Sequence, residues 1–126
     1  MITATKRARE VPTAAKWTIS DSFFELVCEA IFRDSLRIRR FSTVRTTIVE
    51  GLDIAIRATT FERFLFLKAL TTLDYQGDHT IHIQFSPDER RLLVETRRLL
   101  SDQSLDRIMT ADTLALAIVA HRSAYK

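Results

Sequence analysis

The sequence has few of the residues that break helices or cross-link small folds. Among its 126 residues are two glycines, two prolines and one cysteine. All-β folds need frequent Gly- and Pro-rich turns, so this composition favours helices joined by short turns. The single cysteine, Cys28, excludes a disulfide within the chain, and we therefore expect a reducing, cytoplasmic setting.

Long apolar runs and catalytic motifs are also missing. No apolar stretch reaches the roughly 18 residues that a membrane span needs, and the N-terminal residues contain no apolar segment of signal-peptide type. The chain has no glycine-rich phosphate loop, GxSxG or HExxH motif. His79 and His82 have no further Cys or His at metal-ligand spacing. We therefore expect no enzyme activity, metal, cofactor or membrane association.

Positive charge is concentrated in two places. The net charge is +3, and residues 1–16 account for all of it. Residues 1–13 are predicted to form a flexible basic arm that contains Lys6, Arg7 and Arg9. Residues 33–45 add five arginines against one aspartate. This pattern suits a polyanion bound on one face of the molecule; solvated arginines beside a flexible tail are the alternative.

Two short stretches have the alternating pattern of strands. In residues 79–85, Ile81, Ile83 and Phe85 alternate with polar residues, and in residues 15–20 Trp17 and Ile19 do the same. A lone short strand lacks backbone partners. The two stretches are therefore predicted to pair as an antiparallel ribbon, with these five apolar side chains on its inner face.

Helical periodicity accounts for most of the remaining chain. It predicts helices over residues 21–38, 42–58 and 59–73, a fourth after Ser86 and a fifth from Thr110. The helix at 59–73 is apolar around most of its circumference, which predicts a buried position between neighbours. Capping patterns mark the helix starts, at Ser22–Glu25, Ser42 or Thr43, Thr59–Glu62, Ser86–Glu89 with Pro87, and Thr110.

The chain repeats its own pattern. An offset of 66 residues places Ile19 on Phe85 and the apolar positions of the first helix on those of the fourth. An offset of 67 then places Thr43 on Thr110. We therefore expect a single domain over 14–126, built from strand–helix–helix halves at 14–58 and 79–123 that are joined by the helix at 59–73. The predicted fold class is mainly α with one two-stranded antiparallel ribbon.

The order strand–helix–helix resembles the ribbon-helix-helix superfamily of DNA-binding proteins. The stretch "IHIQFSPDERRLLV" is similar to that family's strand followed by Ser/Pro and a helix, and "STVRTTIVEGLDIAI" looks like its second helix. Two fused copies are typical of the single-chain members that act at plasmid-transfer origins. The resemblance implies an accessory protein of plasmid or T-DNA transfer or processing. The alternatives are a repressor or antitoxin of the same fold, or a helical interaction protein that uses helix 59–73.

The resemblance also implies roles for particular residues. The ribbon of this family enters the major groove of double-stranded DNA, where outward strand side chains read base edges. Strand alternation gives five candidate readers: Lys16, Thr18, Thr80, His82 and Gln84. The N-terminus of each second helix would bind a phosphate, and the candidate phosphate contacts are Arg39, Arg40, Ser42, Thr43, Arg45 and Thr110.

Because the two strands carry different readers, we expect a non-palindromic site, or direct repeats bound by several copies. The basic arm would add contacts along the phosphates. The expected partners are double-stranded DNA and other DNA-processing proteins, with the chain acting as a monomer or a weak oligomer on DNA.

Overall fold

The computed structural model describes residues 13–125 and has the predicted fold class, mainly helical with one two-stranded antiparallel sheet. The predicted arm residues Lys6, Arg7 and Arg9 lie outside the described residues, whereas Thr13 begins the first strand. The elements follow in the order β1 (Thr13–Ile19), α1 (Asp21–Ile38), α2 (Val44–Arg57), α3 (Thr60–Thr71), β2 (His79–Phe85), α4 (Pro87–Asp102) and α5 (Thr110–Ala124).

Short polar side chains start most of the helices. Thr43 accepts from the Thr46 N–H at the start of α2, and complete capping boxes begin α3 at Thr59 and α4 at Ser86. The Ser22–Glu25 prediction for α1 is wrong. Ser20 is the N-cap and accepts from the Phe23 N–H, because the helix begins directly after β1.

The predicted ribbon is confirmed. β1 and β2 pair antiparallel, and Lys16 lies opposite His82 at the centre of the register. Trp17, Ile19, Ile83 and Phe85 on the inner face are at most 2% exposed; Ile81 is half-buried. This amphipathic ribbon therefore closes one side of the helical core.

The core centres on the crossing of α2 and α5. Ile48 and Leu52 of α2 and Leu114 and Ile118 of α5 are all buried there. At Gly51 the helices approach so closely that an added Cβ would lie 2.0 Å from the Ala117 carbonyl oxygen. Only a glycine fits at that position with this backbone spacing.

One offset of 66 residues relates the two halves, from strand to last helix. It carries the bounds of β1 onto β2 and the first residues of α1 and α2 onto those of α4 and α5. The buried Thr47 and Thr113 correspond at this offset, and each hydroxyl donates to the backbone carbonyl four residues earlier. The predicted change to an offset of 67 is therefore wrong.

Helix α3 is not buried around its circumference, contrary to the prediction. Phe66 and Leu70 face the core, whereas Phe61 and Phe64 are 67% and 51% exposed. Arg63 fixes the start of the helix, because its guanidinium donates to the Ala58 carbonyl and to the Gln103 side chain. α3 thus covers the core with one face and leaves the other face apolar and open.

Candidate nucleic-acid interface

The outer face of the ribbon brings all five predicted base readers together. Lys16 lies opposite His82 and Thr18 lies opposite Thr80, while Gln84 lies opposite Ala14. Side chains that are directly opposite in an antiparallel pair share one face, and all of these are exposed. The result is a narrow surface that carries an ammonium, two hydroxyls, an imidazole and an amide.

This surface offers donors and acceptors without an acidic group. Lysine can donate to guanine, and a glutamine amide can bond adenine in both directions. Threonine can bond a base edge or place its methyl group against thymine. His82 donates or accepts according to its tautomer. Because the inner face holds the core, these side chains can contact a ligand without disturbing the packing.

The N-terminus of α2 has the features of an anion site. The first-turn N–H groups of a helix have no partner within it, and no acidic residue lies in this first turn. Thr43 caps the helix, and the half-exposed Arg45 guanidinium lies 3.9 Å from the Glu89 carboxylate at the start of α4. Helix end and arginine thus add positive potential at one place.

The hydroxyl of Ser42 serves the turn between α1 and α2. It donates to the Asp34 carboxylate at 2.6 Å, and the Ser42 N–H donates to the Ser35 hydroxyl at 2.8 Å. Ser42 is half-buried in these contacts. The structure therefore engages both Ser42 donors internally, which disfavours their predicted phosphate contact.

Arg39 and Arg40 lie on the surface of the same turn. Arg39 ends α1 in the left-handed conformation, with φ of 59°. Both side chains are exposed, and neither forms an ion pair within residues 13–125. They are available to an acidic group from outside the molecule.

The prediction that Thr110 caps α5 is wrong. Thr110 is the first helical residue, and Met109 takes the cap position. Asp112 replaces the capping hydroxyl, because its carboxylate accepts from the Met109 N–H at 2.8 Å. A carboxylate at this helix end opposes a phosphate there. The two halves therefore differ, and the anion site described above belongs to α2.

Tyr75 completes the arrangement at the start of α5. Its hydroxyl donates to the Asp112 carboxylate from the loop before β2. Burial and this acidic neighbour raise the pKa of Tyr75 to about 12. The contact fastens α5 to that loop and leaves Asp112 fully committed to internal donors.

A buried polar network links α1, α2 and α5, and the sequence patterns did not indicate it. Asp34 and His121 are at most 1% exposed, and the imidazole Nε2 lies 3.3 Å from the Asp34 carboxylate. Arg37 donates to both Asp34 and Glu50 at 2.6 Å, while the Tyr125 hydroxyl donates to Glu50 at 2.9 Å.

The two carboxyl groups of this network are shifted in opposite directions. Burial alone would raise the pKa of Asp34, but hydrogen bonds from Ser42, Arg37 and His121 outweigh it and hold that pKa well below its usual range. Burial and the nearby Asp34 carboxyl raise the pKa of Glu50. Asp34 is thus the permanent charge, and Glu50 is the member that takes up a proton more readily.

Asp34, Glu50 and His121 also lie close enough to be considered as metal ligands. Their nearest donor atoms fall within 4.8 Å of one another. However, the Arg37 guanidinium bridges the two carboxylates and so already supplies the positive charge that a metal ion would bring. The arrangement is that of an ion-pair network.

Comparisons of the chain with protein-family models, curated proteins and solved structures found no match. None of the helices within residues 13–125 is long and apolar enough to cross a bilayer.

Proposed function

We propose that this protein binds double-stranded DNA by inserting the outer face of the β1–β2 ribbon into the major groove, as ribbon-helix-helix proteins do. One observation carries the proposal: the ribbon packs its inner face on the core and turns Lys16, Thr18, Thr80, His82 and Gln84 outward together. The major groove, about 12 Å wide, admits a two-stranded ribbon and presents a different donor and acceptor pattern for each base pair.

The start of α2 supplies the backbone contact in this proposal. Thr43 and Arg45 lie at a helix end without first-turn acids, so a phosphate there meets free N–H groups and a guanidinium. The contact would fix the register of the ribbon on the duplex, whereas the strand side chains would specify the sequence. Arg39, Arg40 and the arm residues Lys6, Arg7 and Arg9 are further proposed backbone contacts.

The bound site should lack two-fold symmetry. Around the Lys16–His82 pair, Gln84 of one strand corresponds to Thr18 of the other, which has a different hydrogen-bonding repertoire. The start of α5 also carries Asp112 where the start of α2 has no acid. The proposed setting is cytoplasmic, in plasmid or T-DNA transfer, with a repressor or antitoxin of the same fold as the alternative.

Selection of bound duplexes from a random library tests the proposal directly. The parent protein should enrich one non-palindromic motif, and a His82→Ala, Gln84→Ala double variant should lose preference for it while keeping the parental circular dichroism spectrum. An Arg98→Ala, Ser101→Ala variant on the exposed surface of α4 is the matched control and should retain the motif. No retention of duplex DNA by the parent at low salt, or an unchanged motif in the ribbon variant, would contradict the proposal.

The second candidate is a protein-interaction module without a DNA function. It is favoured by the exposed apolar face of α3, where Phe61 and Phe64 stack with ring centroids 6.5 Å apart. Mobility shifts at low and high salt separate the two functions, because duplex binding through phosphates weakens steeply with salt. Absent or salt-insensitive binding favours the interaction module.

A further inference from the structure

The outer surface of α1 carries a continuous apolar row. Phe24, Cys28, Phe32 and Leu36 recur every four residues, and Phe24, Phe32 and Leu36 are 41%, 62% and 50% exposed. Residues four apart stack along one side of a helix, so the row is about 18 Å long. Such i±4 ridges are the surfaces into which a second helix packs.

The row opens onto a groove beside the turn between α1 and α2. The groove has a volume of about 600 Å³, and its lining includes Phe32, Leu36, Phe41, Arg39 and Arg40. Phe41 is 98% exposed. No acidic side chain lines this groove, and its two arginines form no ion pair within the described part of the chain. An apolar floor therefore ends in two uncompensated positive charges.

The second half of the molecule shows that the fold does not require this apolar surface. At the offset of 66 residues, α4 places Arg90, Val94, Arg98 and Asp102 where α1 has its row. Arg98 forms ion pairs with Glu95 and Asp102 there, and Arg107 replaces Phe41. One architecture thus carries an ordinary charged surface in one half and an exposed apolar surface in the other. Exposed apolar patches of this kind mark interaction sites.

We infer that this groove docks an acidic, amphipathic helix of a partner protein. Apolar side chains at i, i+4 and i+7 on that helix would pack against Phe32, Leu36 and Phe41, in the helix-in-groove mode. Its carboxylates would pair with Arg39 and Arg40, whose planar guanidinium groups suit bidentate contacts. The assignment goes beyond DNA binding and uses no residue of the ribbon face.

A phage-displayed library of amphipathic helices, with apolar positions fixed and the other positions randomised, tests the inference. Selection on the immobilised full-length protein should enrich helices with net negative charge. The best peptide, measured by fluorescence anisotropy, should bind a Phe32→Ser, Leu36→Ser variant at least tenfold more weakly. An Arg98→Ser, Asp102→Ser variant, changed at the corresponding positions of α4, should bind it as the parent does.

The arginines give an independent readout. A version of the peptide with lysine in place of each acidic residue should bind the parent at least tenfold more weakly, and Arg39→Ala with Arg40→Ala should bring the two affinities together. Enrichment of neutral or basic helices, no enrichment, or equal binding by the groove variant would overturn the inference. So would concentration-dependent self-association abolished by Phe32→Ser, Leu36→Ser, which would assign the groove to a second copy, or binding of anionic vesicles without peptide binding.

Discussion

Gly51 and Ala117 occupy the same position in the two halves of the chain, and they meet where α2 crosses α5. The Lys16–His82 pair at the centre of the ribbon is related by the same 66-residue offset. The approximate two-fold relation between the halves therefore passes through the middle of the ribbon and through the helix crossing behind it. This places the tightest contact of the core directly beneath the proposed reading surface.

A Gly51→Ala substitution should destabilise the protein. In an isolated helix the change would stabilise by about 1 kcal/mol, but here the methyl group would meet the Ala117 carbonyl at 2.0 Å. Backbone cannot move aside as a side-chain end can, so we expect a net loss of about 1–3 kcal/mol. Urea unfolding measures it. The exposed Ser101→Ala should change stability by less than about 0.5 kcal/mol, and an unchanged midpoint for Gly51→Ala would show that the helices are not in close contact.

The buried polar network has an apolar counterpart in the same molecule. The positions that correspond to Asp34, Ser42 and Glu50 are Leu100, Ile108 and Leu116, all buried, and Ala55 corresponds to His121. A variant with Asp34→Leu, Ser42→Ile, Glu50→Leu and His121→Ala should therefore be as stable as the parent or more stable, because well-packed apolar groups commonly replace buried ion pairs without loss.

Asp34→Leu alone should behave differently. It leaves Arg37, Ser42 and His121 without their shared acceptor, and we expect a loss of about 3 kcal/mol. Thermal and urea unfolding of the single and quadruple variants give the comparison. A quadruple variant that is less stable than Asp34→Leu would show that the two halves do not pack equivalently.

The network also predicts a change of stability with pH. The pKa of Glu50 in the folded protein lies above its ordinary value of 4.5, so its contribution to stability grows as the pH falls from 7 through the folded pKa. The pKa of Asp34 lies below its ordinary value of 3.8, so the stability that Asp34 contributes is present above that value and is lost on further acidification. Stability should therefore pass through a maximum on the acidic side of neutrality.

Glu50→Gln separates the two effects. Relative to this variant, the parent should gain free energy of unfolding between pH 7 and pH 5, and both proteins should lose stability below pH 4 as Asp34 is protonated. Urea titrations at each pH provide the measurement. A parallel pH profile for parent and variant from pH 7 to 5 would be inconsistent with the raised pKa of Glu50.

Arg45→Ala should weaken DNA binding without changing sequence preference. Loss of one phosphate contact should make the slope of log affinity against log salt shallower by about 0.9. Mobility shifts over a salt series measure the slope, with Arg98→Ala as the charge-matched control. Thr110→Ala should leave the slope unchanged, because Asp112 occupies that helix end. A change in the Thr110 variant but not in the Arg45 variant would transfer the phosphate site to α5.

The ribbon and its phase could be predicted from sequence because both signals are local. Alternation in residues 79–85 and at Trp17 and Ile19 identifies the two faces, and Ser86-Pro87 marks the start of α4 in the chain itself. The repeat then supplies the partner for each strand. These features needed no knowledge of distant contacts, and the structure confirms the antiparallel pairing and the exposure of the five polar side chains.

The start of α5 and the polar network required tertiary information. Favouring a hydroxyl cap selected Thr110 and shifted the offset to 67, whereas Asp112 accepts the Met109 N–H from within the helix. Asp34 and His121 are 87 positions apart, and no period of the sequence connects them. The prediction for α3 was wrong because apolar composition does not reveal how much neighbouring surface exists to cover a helix.

The ribbon has a consequence for how the protein is made. Its hydrogen bonds join residues 13–19 to residues 79–85, so the first strand emerges from the ribosome long before its partner. At about 5–20 residues per second, synthesis of the intervening segment takes roughly 3–13 seconds. Throughout that interval Trp17 and Ile19 have no opposite strand, and non-local pairing of this kind also forms slowly once both strands exist. The first half of a nascent chain is therefore the part that most needs protection from premature association.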